Sequence, residues 1–548
     1  MDPSLRRVRF PCSRRIRQAR WPSAYCLSSI TSIPRWCVGC PNAASAWIPR
    51  GEYRCKAWIG VHLHSVRSGY SSRKNFMKSN SRPSRASVER KRQTGSRTSR
   101  PAGSRSTAYV PSERPYVMAA VRIEQVQQVL GEVLQWTYPA DAVLSHWFRA
   151  NKNAGLRDRA EVAEAVFDVL RHLRRYRQFA ESGQGAATRR LAVLGLAAIW
   201  PRSTLDTGLD EHEQQWLDYV RGFDMAALPR AVRYSMPDWL DERLAAMPDA
   251  ESLMHALNQT APLDIRVNSF KIERDALLAQ WCDGLEAKWA PVATRYSPWG
   301  IRINGRPPVN RWHAFQRGEF EVQDEGSQLL AALVAPKRGE MVIDYCAGAG
   351  GKTLQLGAMM RSTGRLYAFD VSAARLARAK PRFARSGLSN IIPVVISAGN
   401  DQRVRRLHGK AHRVLVDAPC SGLGTLRRNP DLKWRQHPEA LGELVDVQAR
   451  ILRQAAACVA PGGRLVYASC SILPEENELQ VQAFLDDNPD FTLLNAAEVL
   501  ADRCATIPDM SGPFLRLRPD QHGTDGFFAA VMQRAPKGVL PKALSPEA

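Results

Sequence analysis

Two cysteines follow two apolar runs in this chain and share a local frame. In "RVLVDAPCSG" the thiol is Cys420, with Asp417 and Pro419 just before it; in "GRLVYASCSILPEENE" it is Cys470, fifty residues further on. A buried cysteine ordinarily serves as a small hydrophobe. These two follow strands and have polar neighbours that a core position does not favour, which suits a reactive thiol. Cys346 and Cys458 fit ordinary packing, and Cys282 and Cys504 stand alone.

A third feature is the loop "DYCAGAGGKT", where Gly348, Gly350 and Gly351 lie between an apolar run and a helix-forming stretch. Glycines there let the backbone approach a ligand and aim a helix N-terminus at it. The tripeptide Gly351-Lys352-Thr353 evokes a phosphate-binding loop, but that motif needs a glycine where this chain has Cys346. The next apolar run ends in Asp370, an acid placed to accept both hydroxyls of a ribose. A cofactor with a ribose and no pyrophosphate fits this loop. S-adenosylmethionine is one, and NAD competes on these residues alone.

The elements that must position these groups follow from periodicity. "EMVIDYC", "RLYAFDVS", "NIIPVVIS", "RVLVDAP" and "GRLVYAS" alternate with helix-length segments, which predicts a doubly wound parallel sheet. Upstream, Ile123, Val126, Leu130 and Val133, then Val162, Val166, Val169 and Leu173, recur at helical spacing and predict an all-α domain over 118–235. Within it, Arg171, His172, Arg174, Arg175 and Arg177 surround Tyr176, as a solvated face or an RNA-phosphate contact. In "LDIRVNS" and "GIRING" the period falls to two, so 236–330 is expected to form a small α/β domain.

The formal charge of +24 is uneven: residues 1–117 hold 24 basic and 4 acidic residues, the rest 53 and 49. That first segment is Arg- and Ser-rich and supports no compact core. It reads as a mis-assigned start, with Met118 as the first residue, ahead of a transit peptide or a disordered basic tail that binds RNA. It holds Cys12, Cys26, Cys37, Cys40 and Cys55; the lone C-x-x-C of Cys37 and Cys40 has no second pair, and no metal site is expected. Single scattered cysteines suit a reducing compartment. The apolar run "LAVLGLAAIW" is too short to span a bilayer, so a cytoplasmic, monomeric protein without a membrane partner is expected.

Taken together, "CAGAGGKT", "DAPCSG", "RNPDLKW", "SCSILPEENE" and "DGFFAAVMQR" resemble the RNA 5-methylcytosine methyltransferase family, which includes the bacterial 16S ribosomal RNA cytosine methyltransferase and the Nop/Sun proteins; the resemblance covers about 260–534. It implies a Rossmann-like class I methyltransferase domain over 331–536, followed by a tail at 537–548, with S-adenosylmethionine as cofactor. The cofactor-binding positions it implies are Cys346, Ala347, Gly348, Ala349, Gly350, Gly351, Lys352, Asp370, Asn400 and Asp417. Ala349 stands where the family often has proline, and Asp401 lies one residue from Asn400.

The chemistry implied is demanding. Carbon 5 of cytosine is a poor nucleophile, so a thiolate first adds at carbon 6. The resemblance assigns attack to Cys470 and product release to Cys420, with Asp417 hydrogen-bonded to the base. Arg266, Arg428 and Lys433 are the expected RNA contacts, Arg428 and Lys433 alternatively being a solvated loop. Glu475, Glu476 and Asn477 read as a helix cap or as part of the motif. Structured RNA is the expected partner, ribosomal RNA ahead of transfer RNA, with the base flipped out for reaction. DNA cytosine methylation and a non-catalytic ribosome assembly factor are the competing readings.

Overall fold

The computed structural model describes residues 114–508, 510 and 512–538. The expectations for the basic extension up to residue 113, for Cys37 and Cys40, and for the tail from 539 fall outside the described residues. The first helix spans Arg114–Val133, so it begins four residues ahead of Met118 rather than directly after it.

Helices follow at Ala140–Ala150, Leu156–Arg171, Leu173–Ala180, Ala187–Ala197 and Glu211–Gly222. All eight apolar positions that marked the helical period, from Ile123 to Leu173, are fully buried in one core cluster. The helical stretch continues beyond 235 with Asp238–Ala245 and Ala250–Leu257. Their Leu240, Leu244, Leu253, Met254 and Leu257, with Met236 just before them, form a separate cluster with Leu423, Leu426 and Leu473. These helices therefore pack directly on the loops that carry Cys420 and Cys470.

The arginine-rich segment is not simply a solvated face, because most of its arginines bond within the chain. Arg171 donates to the carbonyl of Gln259, Arg174 to Met236 O and Asp238, and Arg175 to Arg233 O, while the Tyr176 hydroxyl bonds Asp168. Of these arginines only Arg177 is exposed. The long arginine stems reach across to backbone carbonyls between residues 233 and 259 and tie that segment down.

A four-stranded antiparallel sheet comes next, built from β1 (Leu263–Val267), β2 (Val292–Ala293), β3 (Gly300–Ile303) and β4 (Phe320–Val322) in the order β2-β3-β1-β4. Trp281, Ile265, Val267, Ile301, Ile303 and Phe320 fill its core.

The large sheet contains β5 (Met341–Asp344), β6 (Arg365–Asp370), β7 (Ile391–Val395), β8 (Ala411–Asp417), β9 (Val459–Ser469), β10 (Phe491–Leu494), β11 (Leu515–Leu517) and β12 (Phe527–Arg534). Its order is β10-β12-β9-β8-β5-β6-β7, with β11 paired to β12. The expected parallel set runs from β7 to β9. Strands β10 to β12 depart from it: β12 lies antiparallel to β9, and β11 returns antiparallel to β12 through residues 518–526, which hold only the one-turn helix Pro519–His522. Pro393 sits in β7, at the sheet edge, where its missing N–H disrupts no ladder. Strand order reverses between β5 and β8, and that reversal opens a crevice at their carboxyl ends.

Candidate active site

Asp344 ends β5, Asp370 ends β6, Asp417 ends β8 and Ser469 ends β9, so the strand termini deliver acids and the two cysteine loops to that crevice. The loops converge. Cys420 Sγ lies 3.2 Å from Cys470 Sγ, and the Cys470 amide donates to Cys420 Sγ at 3.3 Å. Cys420 is buried and Cys470 is half-buried. Burial pushes Cys346 well up, and Cys458 and Cys504 up to about 12, so those three stay protonated thiols at neutral pH.

Close backbone crossing makes this convergence possible. Gly424 donates its N–H to Cys470 O and accepts from the Gly526 amide, so the "PCSGLG", "SCS" and "DGFF" segments meet at one point. A side chain on Gly424 would stand 2.1 Å from Gly526 O, which only glycine avoids.

The cofactor loop is held from both sides. The Gly348 amide donates to Asp370 Oδ2 at 2.8 Å, and Asp370 Oδ1 also pairs with Arg375. Gly350 adopts φ +80° against the ring of Phe383, and the loop then enters the helix Gly351–Met359. Lys352 Nζ reaches across to Asp417 Oδ2 at 2.8 Å, linking the loop to the Cys420 strand. Asp344 beneath the loop takes the Thr353 hydroxyl on one oxygen, while its buried Oδ1 has no hydrogen-bond partner. Burial pushes the Asp344 carboxyl up to about 7, helped by the charge of Asp417. The acid at the end of β6, a positive-φ glycine turn and a helix N-terminus fit S-adenosylmethionine.

Asn400 and Asp401 behave differently. Asn400 is exposed, whereas Asp401 is buried and accepts from Ser397 and Arg403. Arg403 and the Ser397 amide hold its carboxyl below the usual range. Asp401 thus serves the turn after β7.

Of the three expected RNA contacts, Arg266 and Lys433 are buried and Arg428 is half-buried, and each is held by partners within the chain. Arg266 donates to Gln323 Oε1 and to Gly351 O, both at 2.8 Å, so it fastens the cofactor loop to the small sheet. Burial brings its guanidinium down to about 9. Arg382 completes the staple, joining Ala349 O to Glu321 of β4. Arg428 lies between Asp324 at 2.7 Å and Asp525 at 2.5 Å and donates to Pro262 O. Lys433 is fully buried and donates to Arg171 O and Asn258 Oδ1; burial, then Arg171 and Arg175, pull its ammonium well below the usual lysine range.

"RNPDLKW" is therefore a dock. Lys433 and Trp434 satisfy the carbonyls of Arg171 and Leu170 at the C-terminal end of the helix Leu156–Arg171, and Asp431 accepts the Ala140 amide at the start of another helix. A cation at a helix C-terminus and an anion at an N-terminus both complement the helix dipole. A burial of this kind leaves no mark on one sequence, because the partners lie more than a hundred residues away.

Glu475, Glu476 and Asn477 do not cap the following helix. Glu475 pairs with Arg243 at 2.8 Å, and Asn477 occupies the cap position without a side-chain cap bond. Glu476 instead accepts from the amide and the hydroxyl of Ser421, a partner too far along the chain for local spacing to signal.

A family model described as 16S rRNA methyltransferase RsmB/F matches residues 331–533, and one described as a ferredoxin-like domain of RsmF/B-like methyltransferases matches 236–310. A probable ribosomal RNA small subunit methyltransferase B of Synechocystis sp. is 34% identical over 318 residues, spanning 57% of this chain and 70% of that protein. The ribosomal RNA small subunit methyltransferase B of Sodalis glossinidius is 37% identical over 303 residues, spanning 55% of this chain and 66% of that protein. The crystal structure of PH0851 superposes with a TM-score of 0.58 at 25% identity, covering 78% of this chain and 100% of that one.

Proposed function

Because the chain belongs to the 16S rRNA methyltransferase RsmB/F family and uses S-adenosylmethionine, we propose that it methylates carbon 5 of a cytosine in 16S ribosomal RNA through a covalent cysteine adduct. The observation that carries this reading is the pair of thiols 3.2 Å apart at the ends of β8 and β9. When bound, the cofactor supplies an electrophilic methyl group. Cys470, as thiolate, adds to carbon 6 and places electron density on carbon 5. Once carbon 5 carries both a methyl group and a proton, loss of that proton returns the electron pair to the ring and expels the Cys470 sulfur. Cys420, adjacent to Cys470, is the group that assists this release. Lys352 fixes one oxygen of Asp417, which leaves Oδ1 to accept from the amino group of the cytosine.

The test uses 16S ribosomal RNA from a strain deleted for this gene. Cys470→Ala should form no protein–RNA adduct, and Cys420→Ala should accumulate one that survives denaturing gels. Full turnover by Cys420→Ala without an adduct would refute the two-thiol assignment.

A further inference from the structure

The carboxylate of Glu476 is fully buried at the end of the short 3-10 turn Pro474–Glu476 that follows Cys470, outside the chemistry described above. Its Oε1 accepts from the Ser421 amide at 2.7 Å and from Gln448 Nε2 at 3.0 Å, and its Oε2 accepts from the Ser421 hydroxyl at 2.5 Å. Gln448 Nε2 also donates to Pro419 O at 3.0 Å. The residues on either side of Cys420 are thus both pinned, one by Glu476 and one by Gln448. Tyr467, on the Cys470 strand, donates its hydroxyl to Glu476 O at 2.7 Å.

The Cys470 loop has fastenings of its own. Ser469 Oγ donates to Asn477 Oδ1 at 2.5 Å, Asn477 Nδ2 donates to Ser471 O at 3.1 Å, and Ser421 Oγ lies 3.3 Å from Ser471 Oγ. A buried carboxylate whose oxygens take three donors is an expensive group to place inside a protein unless it fixes a geometry. Here the geometry is the approach of one thiol to the other.

We propose that Glu476 is a positioning residue for product release: through the amide and hydroxyl of Ser421 it holds Cys420 against Cys470. The proposal rests on the cytosine reading. Cys470 has the separate anchors Ser469 and Asn477, so loss of Glu476 should impair release more than attack.

The experiment uses the full chain with 16S ribosomal RNA transcribed with cytidine or with 5-fluorocytidine, whose fluorine blocks release and traps the adduct. Glu476→Ala should trap 5-fluorocytidine RNA within about 3-fold of the parent rate, yet turn over cytidine RNA about 100-fold more slowly with adduct accumulating. Glu476→Gln, which keeps an acceptor for the Ser421 amide, should recover to within about 10-fold of the parent. Ser421→Ala removes only the hydroxyl contact and should slow release about 10-fold, which keeps the test decisive should Glu476→Ala not fold. Without RNA, diamide, which takes the two thiol hydrogens, should couple Cys420 to Cys470 at least about 10-fold faster in the parent than in Glu476→Ala. Release at the parent rate in Ser421→Ala, or trapping slowed as much as release, overturns the proposal. A parent protein that traps no 5-fluorocytidine RNA overturns the cytosine reading itself, whereas equal diamide coupling in parent and Glu476→Ala overturns the positioning role alone.

Discussion

Arg428 separates two accounts of this protein, because a phosphate contact and a buried clamp respond oppositely to its removal. Its side chain is 20% exposed and lies between Asp324 and Asp525, which are 6% and 1% exposed. At an effective dielectric of about 20, each close pair carries roughly 4 kcal/mol of Coulomb energy, against which stands the desolvation of three charges. Asp525, which burial already pushes up to about 6, can escape by taking a proton, and Arg427 lies close by. Asp324 has less relief. Removing one partner of a buried pair costs about 3–5 kcal/mol, and Arg428→Ala should fall in that range. With a urea dependence of about 3 kcal/mol per molar, the midpoint of the main transition should drop by roughly 1 to 1.7 M. Urea unfolding followed by tryptophan fluorescence measures the shift, and RNA binding across a salt series serves as the counter-assay. An unchanged midpoint together with weaker RNA binding and a salt slope lower by about one would refute the clamp and restore the phosphate contact.

Asp344 gives a pH signature: burial raises its carboxyl from 3.8 in the unfolded chain to about 7, so its share of stability is complete below the lower value and lost as pH rises through the upper one. Asp344→Asn should remove that loss, so its stability relative to the parent should improve between about pH 4.5 and about pH 7.5 without cofactor; parallel urea profiles would contradict the assignment. Gly424→Ala places a carbon 2.1 Å from Gly526 O and 2.8 Å from Cys470 O, so it should destabilise by about 3 kcal/mol and abolish adduct formation. Gly442→Ala, in the helix Pro438–Ala456 with open space around it, should instead leave the thermal midpoint equal or higher.

The sequence by itself determined which segments are helices and strands wherever apolar spacing was long and regular. Ile123 to Leu173 declared their buried faces, and the five apolar runs became β5 to β9, because a parallel strand covered on both sides must be apolar; β7, at the sheet edge, is apolar but partly exposed. It also marked the strand-end cysteines and the glycine turn, since reactive groups and tight turns need particular residue types. The antiparallel return of β12 was not legible, because an apolar run carries no direction. Nor was the fate of Arg266, Arg428 and Lys433. A charged residue in a loop is normally solvated, and only partners such as Gly351, Asp525 and Arg171, supplied from distant segments, make its burial affordable. The same holds for Glu476. Its letter fits a helix cap, and only the tertiary fold, by setting it under Ser421 beside two converging thiols, gave its carboxylate those partners.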